Sequence, residues 1–242
     1  KGIFPHSVTL LDSISNLTEF QTFVSTSKAE RLLYMESSYS AKENYQIIRK
    51  YFPYLLEHTS HVGGDYYAFS KEGPGKSEEI IFSDSLPIKN EYENSENSAI
   101  PYFTLDSLTE YSQSYSLPLN EMAVNTNNII DIQLKVKRIS NHKNLILVAS
   151  INDKDTSIFW GGGNLKNYIQ EKDQWTWLYY SFKLPNVDLK NKDVTFTTYL
   201  WNNEKGHFLI TDYQIQVRYG NPVVYSFAVK NLPAFNAGFI QK

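Results

Sequence analysis

The chain has 242 residues, a net charge of −3 and a hydrophobic fraction of 41%, enough apolar material for one large domain, or one domain with an appendage, and too much for wholesale disorder. The charge is slightly negative and no basic cluster stands out, so a nucleic-acid role has no electrostatic support. Zero cysteines remove disulfides, thiolate metal sites and a cysteine nucleophile, and no run of about eighteen apolar residues is present to span a bilayer as a helix.

The first residues read as a mixed, partly helical subdomain. Ser13 to Val24 places Ile14, Leu17, Phe20 and Val24 at amphipathic-helix spacing. Arg31-Leu-Leu-Tyr-Met35 is too short for periodicity to choose between strand and helix. Ala41 to Leu56 carries Tyr45, Ile48, Phe52 and Leu55 on one helical stripe, which Pro53 ends or kinks. Glu57-His58-Thr-Ser-His61-Val-Gly-Gly-Asp65 bunches imidazoles and carboxylates of the kind that hold zinc or copper, but without a helix-borne His-Glu-x-x-His pattern, and water-facing loop histidines are the plainer reading. Asp65-Tyr-Tyr-Ala-Phe69 is a strand, and Gly73-Pro-Gly75 is the best boundary in the chain. Gly75-Lys76-Ser77 resembles the end of a phosphate loop, but Ser70 stands where the first glycine is needed.

Beyond residue 76 the pattern is all-β. Strand candidates are Glu79 to Phe82, Tyr102-Phe103, Tyr111 to Leu119, Ile129 to Ile139, Leu145 to Ile151 and Ser157 to Trp160. Asn90 to Asn97, acidic and Asn-rich, reads as a solvated loop, and Gly161-Gly-Gly-Asn164 as a sharp turn beside Trp160. In Ile129 to Ile139 the residues Ile130, Ile132, Leu134 and Val136 alternate with Asp131, Gln133, Lys135 and Lys137, the mark of a strand buried on one face. Leu145 to Ala149 is apolar on both faces and should be central.

Three aromatic, β-branched runs follow: Trp175 to Pro185, Val194 to Asn202 and His207 to Val217, separated by Asn-, Pro- and Gly-containing turns. Alternation assigns Leu178, Tyr180, Phe182 and Leu184, then Val194, Phe196, Thr198 and Leu200, to the core. The opposite face receives Trp177 and Tyr179 from one strand and Tyr199 and Trp201 from the next. Residues 220–242 form a tail whose strand-like run, Val223 to Val229, is expected to return to the N-terminal part.

The motifs Tyr111-Ser-Gln-Ser-Tyr-Ser-Leu-Pro-Leu119, Trp175 to Pro185, Tyr199-Leu-Trp-Asn202 and Phe208-Leu-Ile-Thr-Asp212 resemble those of carbohydrate-binding-module jelly rolls, over roughly residues 76–219. The resemblance implies an antiparallel β-sandwich that binds a glycan on one sheet face. Such modules often carry a structural calcium near a terminal Asp-Asp pair; here Thr211 takes the first position and only Asp212 remains, a departure from that pattern. A fold of this kind does not fix function.

The resulting expectation is a mainly β fold, an antiparallel β-sandwich (jelly roll) over 76–219, a small mixed subdomain over 1–75 and a tail over 220–242. The core should contain Leu134, Val136, Leu147, Leu178, Phe182, Phe196, Leu200, Phe208 and Ile210. Trp177, Tyr179, Tyr199, Trp201 and Asn202 are the candidate ligand-binding residues: sugars stack apolar C–H faces on rings, and neighbouring polar side chains bond their hydroxyls. The alternative for this face is burial beneath the N-terminal subdomain or the tail.

No catalytic residue, cofactor or metal is expected. No nucleophile elbow is visible, and the nearest carboxylates to the four rings along the strands are Asp173 and Glu204, in turns. Three functions stay open: a non-catalytic glycan-binding domain, a polysaccharide hydrolase or lyase on the same scaffold, and a structural accessory domain. The start at Lys1 without Met and the Asn-, Ser- and Tyr-rich composition point to a trimmed extracytoplasmic segment, periplasmic or at the cell surface, of a larger membrane-attached protein.

Overall fold

A computed structural model describes residues 17–37, 40–62, 64–75, 80–86, 91–95, 98–168 and 171–221, with backbone alone for 91–100. The tail run at 223–229 lies outside them. The elements in chain order are α1 (Leu17–Thr26), β1 (Arg31–Glu36), α2 (Glu43–Tyr51), β2 (Tyr54–His61), β3 (Gly64–Ser70), β4 (Ile80–Ser85), β5 (Glu91–Ser95), β6 (Ser98–Leu105), β7 (Tyr115–Pro118), α3 (Leu119–Met122), β8 (Ile129–Arg138), β9 (Ile146–Asp153), β10 (Thr156–Asn164), β11 (Trp175–Lys183), β12 (Val194–Trp201) and β13 (Phe208–Arg218). No described helix is long and apolar enough to cross a membrane.

The strands form an antiparallel β-sandwich with a small mixed layer at one side. One sheet has the order β10-β9-β12-β7; the other runs β11-β8-β13-β6-β5, with β4 also pairing to β13. The long β13 meets β6 through Phe208 to Ile210 and β4 through Gln214 to Arg218. β9 is central, as its two apolar faces require. All nine expected core residues, from Leu134 to Ile210, are buried. Between the sheets the Tyr213 hydroxyl lies 2.7 Å from the Thr198 hydroxyl, which donates to the Val148 carbonyl at 2.7 Å.

Two sequence expectations are corrected. Glu91–Ser95 is a strand paired to β6 rather than part of a solvated loop. Gly161 to Asn164 continues β10 rather than turning. Gly163 faces inward, where a Cβ would lie 2.8 Å from the Tyr179 carbonyl oxygen. Glycine is thus needed for the two sheets to converge at β10 and β11, where Phe159 stacks on Phe182 at 4.4 Å.

The N-terminal layer is a three-stranded sheet of order β1-β3-β2 with α1 and α2. Tyr45, Ile48 and Phe52 are buried as the stripe predicts, and α2 ends at Tyr51, ahead of Pro53; Leu55, placed on the same stripe from sequence, is buried on β2 instead. The ambiguous Arg31 to Met35 run is a strand because its residues pair one for one with β3. Alternation along β2 divides the His/carboxylate bunch: His58 and Ser60 share a face with Asp65, while Glu57 and His61 take the other. His58 Nε2 lies 3.0 Å from Asp65 Oδ1 and the Ser60 hydroxyl donates to the same oxygen at 2.6 Å. Among the described residues no group of three or more His, Asp or Glu is placed to hold a metal ion.

Helix α2 sits against β11, the end strand of its sheet. Gln46 Nε2 donates to the Ser181 hydroxyl at 2.6 Å, the Ser181 N–H donates to Glu43 Oε1 at 3.2 Å, and the Tyr168 hydroxyl donates to the Tyr179 carbonyl at 2.9 Å. The last two bonds satisfy backbone groups that an uncovered edge strand would leave open to association.

Burial raises the Glu43 pKa above its usual 4.5, with the Asp131 charge adding to it against hydrogen bonds from the Glu43 and Ser181 backbone N–H groups. The folded state therefore holds this proton more tightly than the unfolded state, and Glu43 makes stability fall as pH rises from 4.5 through the raised folded value. Glu43→Gln keeps an acceptor for Ser181 and removes the charge. In urea titrations, its stability relative to the parent should increase over that pH window and then level off. A constant difference at every pH would contradict the burial of Glu43.

Candidate functional site

The four rings proposed from sequence do not share a face. Trp177 and Tyr179 belong to β11 in the six-stranded sheet, whereas Tyr199 and Trp201 belong to β12 in the four-stranded one. Consecutive strands in a sandwich can cross between layers, so equal alternation in each says nothing about a common surface. Tyr179 is fully buried beside α2, the covering by the N-terminal layer that the sequence left open. Trp177 is half-buried. Asn202 is also fully buried: its Nδ2 donates to the carbonyls of Asp106 (2.8 Å), Thr109 (3.1 Å) and Gly206 (2.9 Å), and its Oδ1 accepts from Gly206 N at 2.8 Å. Its side chain ties two loops together and has no group left to offer a ligand.

That tie builds a ring cluster on the outer face of the four-stranded sheet. The Asn202 N–H donates to the Glu110 carbonyl at 2.7 Å, Leu200 N donates to the Ser112 hydroxyl at 2.9 Å, and Tyr111 forms a bridge with Trp201. The Tyr111 and Trp201 rings are nearly parallel, with centroids 6.4 Å apart and planes 13° apart, and Tyr111 meets Tyr199 edge-on at 5.9 Å. Trp201 Nε1 donates to Glu110 Oε1 at 3.3 Å. The hydrogen bond to Glu110, more than burial, raises the pKa of the Tyr111 hydroxyl. The Glu110 carboxylate thus bonds Trp201 and influences the Tyr111 hydroxyl beside it, and Tyr111 stays 52% exposed.

The rest of the face follows from register. Trp160 on β10 stands opposite Ser150 on β9, which stands opposite Thr197 on β12, which stands opposite Ser116 on β7. Trp160 is 56% exposed and is two strands from Thr197, about 10 Å. In the next row Gly162, Val148 and Tyr199 lie side by side. A Cβ on Gly162 would come within 2.6 Å of the Leu147 carbonyl oxygen, so this position stays bare between the rings. Ser116 and Thr197 hydroxyls lie 2.9 Å apart, and Asn152 Nδ2 donates to the Ser150 hydroxyl at 3.3 Å. The face therefore combines the exposed rings of Tyr111 and Trp160 and the half-buried ones of Tyr199 and Trp201 with the hydroxyl and amide groups of Ser116, Thr197 and Asn152; Ser150 is buried.

Sequence reasoning missed Glu110, Tyr111 and Trp160 as members of this face. Trp160 was accessible through the alternation of Phe159 with Trp160, which continues into the glycine run. Glu110 was not, because it approaches Trp201 from a loop 91 residues away in the chain. Its place also corrects the expectation that the nearest carboxylates to the rings lie in the turns at Asp173 and Glu204.

No family model and no curated protein matches the chain. Among solved structures, the fold is similar to the CBM22-1 xylan-binding domain of Xyn10C from Paenibacillus barcinonensis, at 14% identity and a TM-score of 0.35, covering 61% of this chain and 99% of that one. It is also similar to the CBM22-1–GH10 modules of endo-1,4-β-D-xylanase 10B from Clostridium thermocellum, solved with xylohexaose, at 13% identity and a TM-score of 0.36, covering 69% of this chain and 29% of that one. A Stig cyclase, Fisc from Fischerella sp. TAU, matches at 8% identity and a TM-score of 0.31, covering 44% of this chain and 55% of that one. The likeness is one of fold.

Proposed function

We propose that this chain is a non-catalytic glycan-binding domain whose ligand lies on the outer face of the four-stranded sheet. The observation that carries this reading is the nearly parallel Tyr111–Trp201 pair, with Tyr111 exposed, Trp201 half-buried and bonded to Glu110, and Tyr199 flanking it. Ordinary surface tyrosines and tryptophans are not braced in this way. Rings fixed before binding lose little freedom when a sugar stacks on them. Ser116, Thr197 and Asn152 lie on the same face to meet hydroxyls, and Trp160 extends the apolar surface across two strands. Glu110 is engaged with the rings, the position of a scaffold group rather than of a free general acid. In this reading the N-terminal layer supports the sandwich by covering β11.

The test is a glycan array followed by calorimetric titration of any oligosaccharide retained, xylo-oligosaccharides included. Trp201→Ala should weaken binding by about 2 kcal/mol, roughly 30-fold, as expected for a central aromatic contact. Tyr111→Ala should act in the same direction. Unchanged affinity in both variants would move the site elsewhere, and failure of every glycan to bind would favour a purely structural domain.

A further inference from the structure

The face around Trp177 has a different chemistry. It lies on the six-stranded sheet, where Trp175 stands opposite Lys137 and Trp177 opposite Lys135. Helix α2 covers the far end of this face and brings Lys50 over the Trp177 ring, 4.0 Å from its centroid. Lys135 Nζ approaches the same centroid at 5.1 Å, and Lys137 Nζ lies 5.9 Å from that of Trp175. Lys135 pairs with Asp212 at 2.9 Å. Lys50 has no carboxylate within ion-pair distance among the described residues, so one carboxylate serves two ammonium groups that share a ring. Burial, then the Lys135 charge, lowers the Lys50 pKa, with Asp212 opposing. Beside them on the sheet Gln133 Nε2 donates to Gln214 Oε1 at 2.7 Å.

We propose that this face is a second binding site, separate from the Tyr111–Trp201 face, and that it takes the carboxylate of an acidic sugar in a polysaccharide chain. Lys50 and Lys135 share the single carboxylate of Asp212, and Lys137 stands over the neighbouring Trp175, so the face is net positive and suits an anionic sugar such as a uronate. Trp175 and the amides of Gln133 and Gln214 provide the ring and hydrogen-bonding contacts that a sugar uses and an inorganic anion does not. The site shares no residue with the first face, so either can fail without the other.

Calorimetric titration with a hexagalacturonate and with its methyl ester separates charge from shape. The acid should bind, and the ester should bind at least ten-fold more weakly. Lys50→Gln and Lys135→Gln should each weaken the acid roughly ten-fold, Lys135→Arg should retain it, and added salt should weaken it. Asp212→Asn should tighten binding, because it removes the competing carboxylate; Asn tolerates the left-handed backbone at this position, where φ is 53°. Trp201→Ala should leave the acid's affinity unchanged. Equal binding of acid and ester, absence of binding by the acid, displacement by inorganic phosphate at matched ionic strength, or loss on Trp201→Ala would each overturn the proposal.

Discussion

Replacing Arg218 with Ala should lower the unfolding free energy by roughly 3–5 kcal/mol, because it leaves the buried Asp131 without its counter-charge and Glu36 with Lys42 alone. Arg218 is 6% exposed at the end of β13. Its Nε donates to Asp131 Oδ2 at 2.7 Å, its Nη1 lies 3.6 Å from Glu36 Oε2, and its guanidinium packs over the Tyr45 ring at 4.2 Å. Asp131 also accepts from the Ser181 hydroxyl at 2.7 Å, and Glu36 pairs with Lys42 at 3.0 Å. Burial works against the Arg218 charge, but Asp131 and Glu36 outweigh it and hold its pKa well above the usual value. The network joins β1 and α2 of the N-terminal layer to β8, β11 and β13 of the sandwich, so the loss should appear as weakened cohesion between them. Arg218→Lys keeps the charge without the planar fork and should recover part of the stability. Urea unfolding measures both variants; a loss below about 1 kcal/mol for Arg218→Ala would mean that the two carboxylates are not held there as charges.

Phe182→Ala should cost about 3–5 kcal/mol, the range for removing a large buried aromatic side chain. Phe182 is 6% exposed and stacks on Phe159 at 4.4 Å with planes 12° apart, and on Tyr180 at 5.6 Å. Phe159 belongs to β10 and Phe182 to β11, so this stack bridges the two sheets where Gly163 lets their backbones approach. Collapse of neighbouring side chains into the cavity is limited by those backbones, which favours a large loss. A near-zero change in the urea midpoint would contradict the packing of that corner.

The strands and their inward faces were legible in the sequence because burial of one sheet face imposes a period of two that any reader can count. Ile130 to Val136, Val194 to Leu200 and the two apolar faces of Leu145 to Ala149 were read this way, and each sits where the pattern required. The helix carrying Tyr45 and Ile48 was legible for the same reason at a different period, with Pro53 following its end. Alternation states only that a side chain points away from the core. It does not say which sheet a strand joins, so Trp177 and Tyr199 looked like neighbours and lie on opposite layers. Nor does it say what covers the outer face: α2 buries Tyr179, while Tyr111 and Trp160 remain open. Asn202 illustrates the same limit, since a polar residue at a strand end can face a ligand or bind its own loops, and only the positions of Asp106, Thr109 and Gly206 chose the second. The Glu110–Trp201 bond, the Arg218 network and the Lys50–Trp177 contact all join residues distant in the chain. The sequence by itself determined the elements, their buried faces and the class of fold, because those are set by neighbours a few residues apart. Tertiary structure decided which exposed groups meet, because strand order and the docking of α2 are properties of the whole chain rather than of any segment.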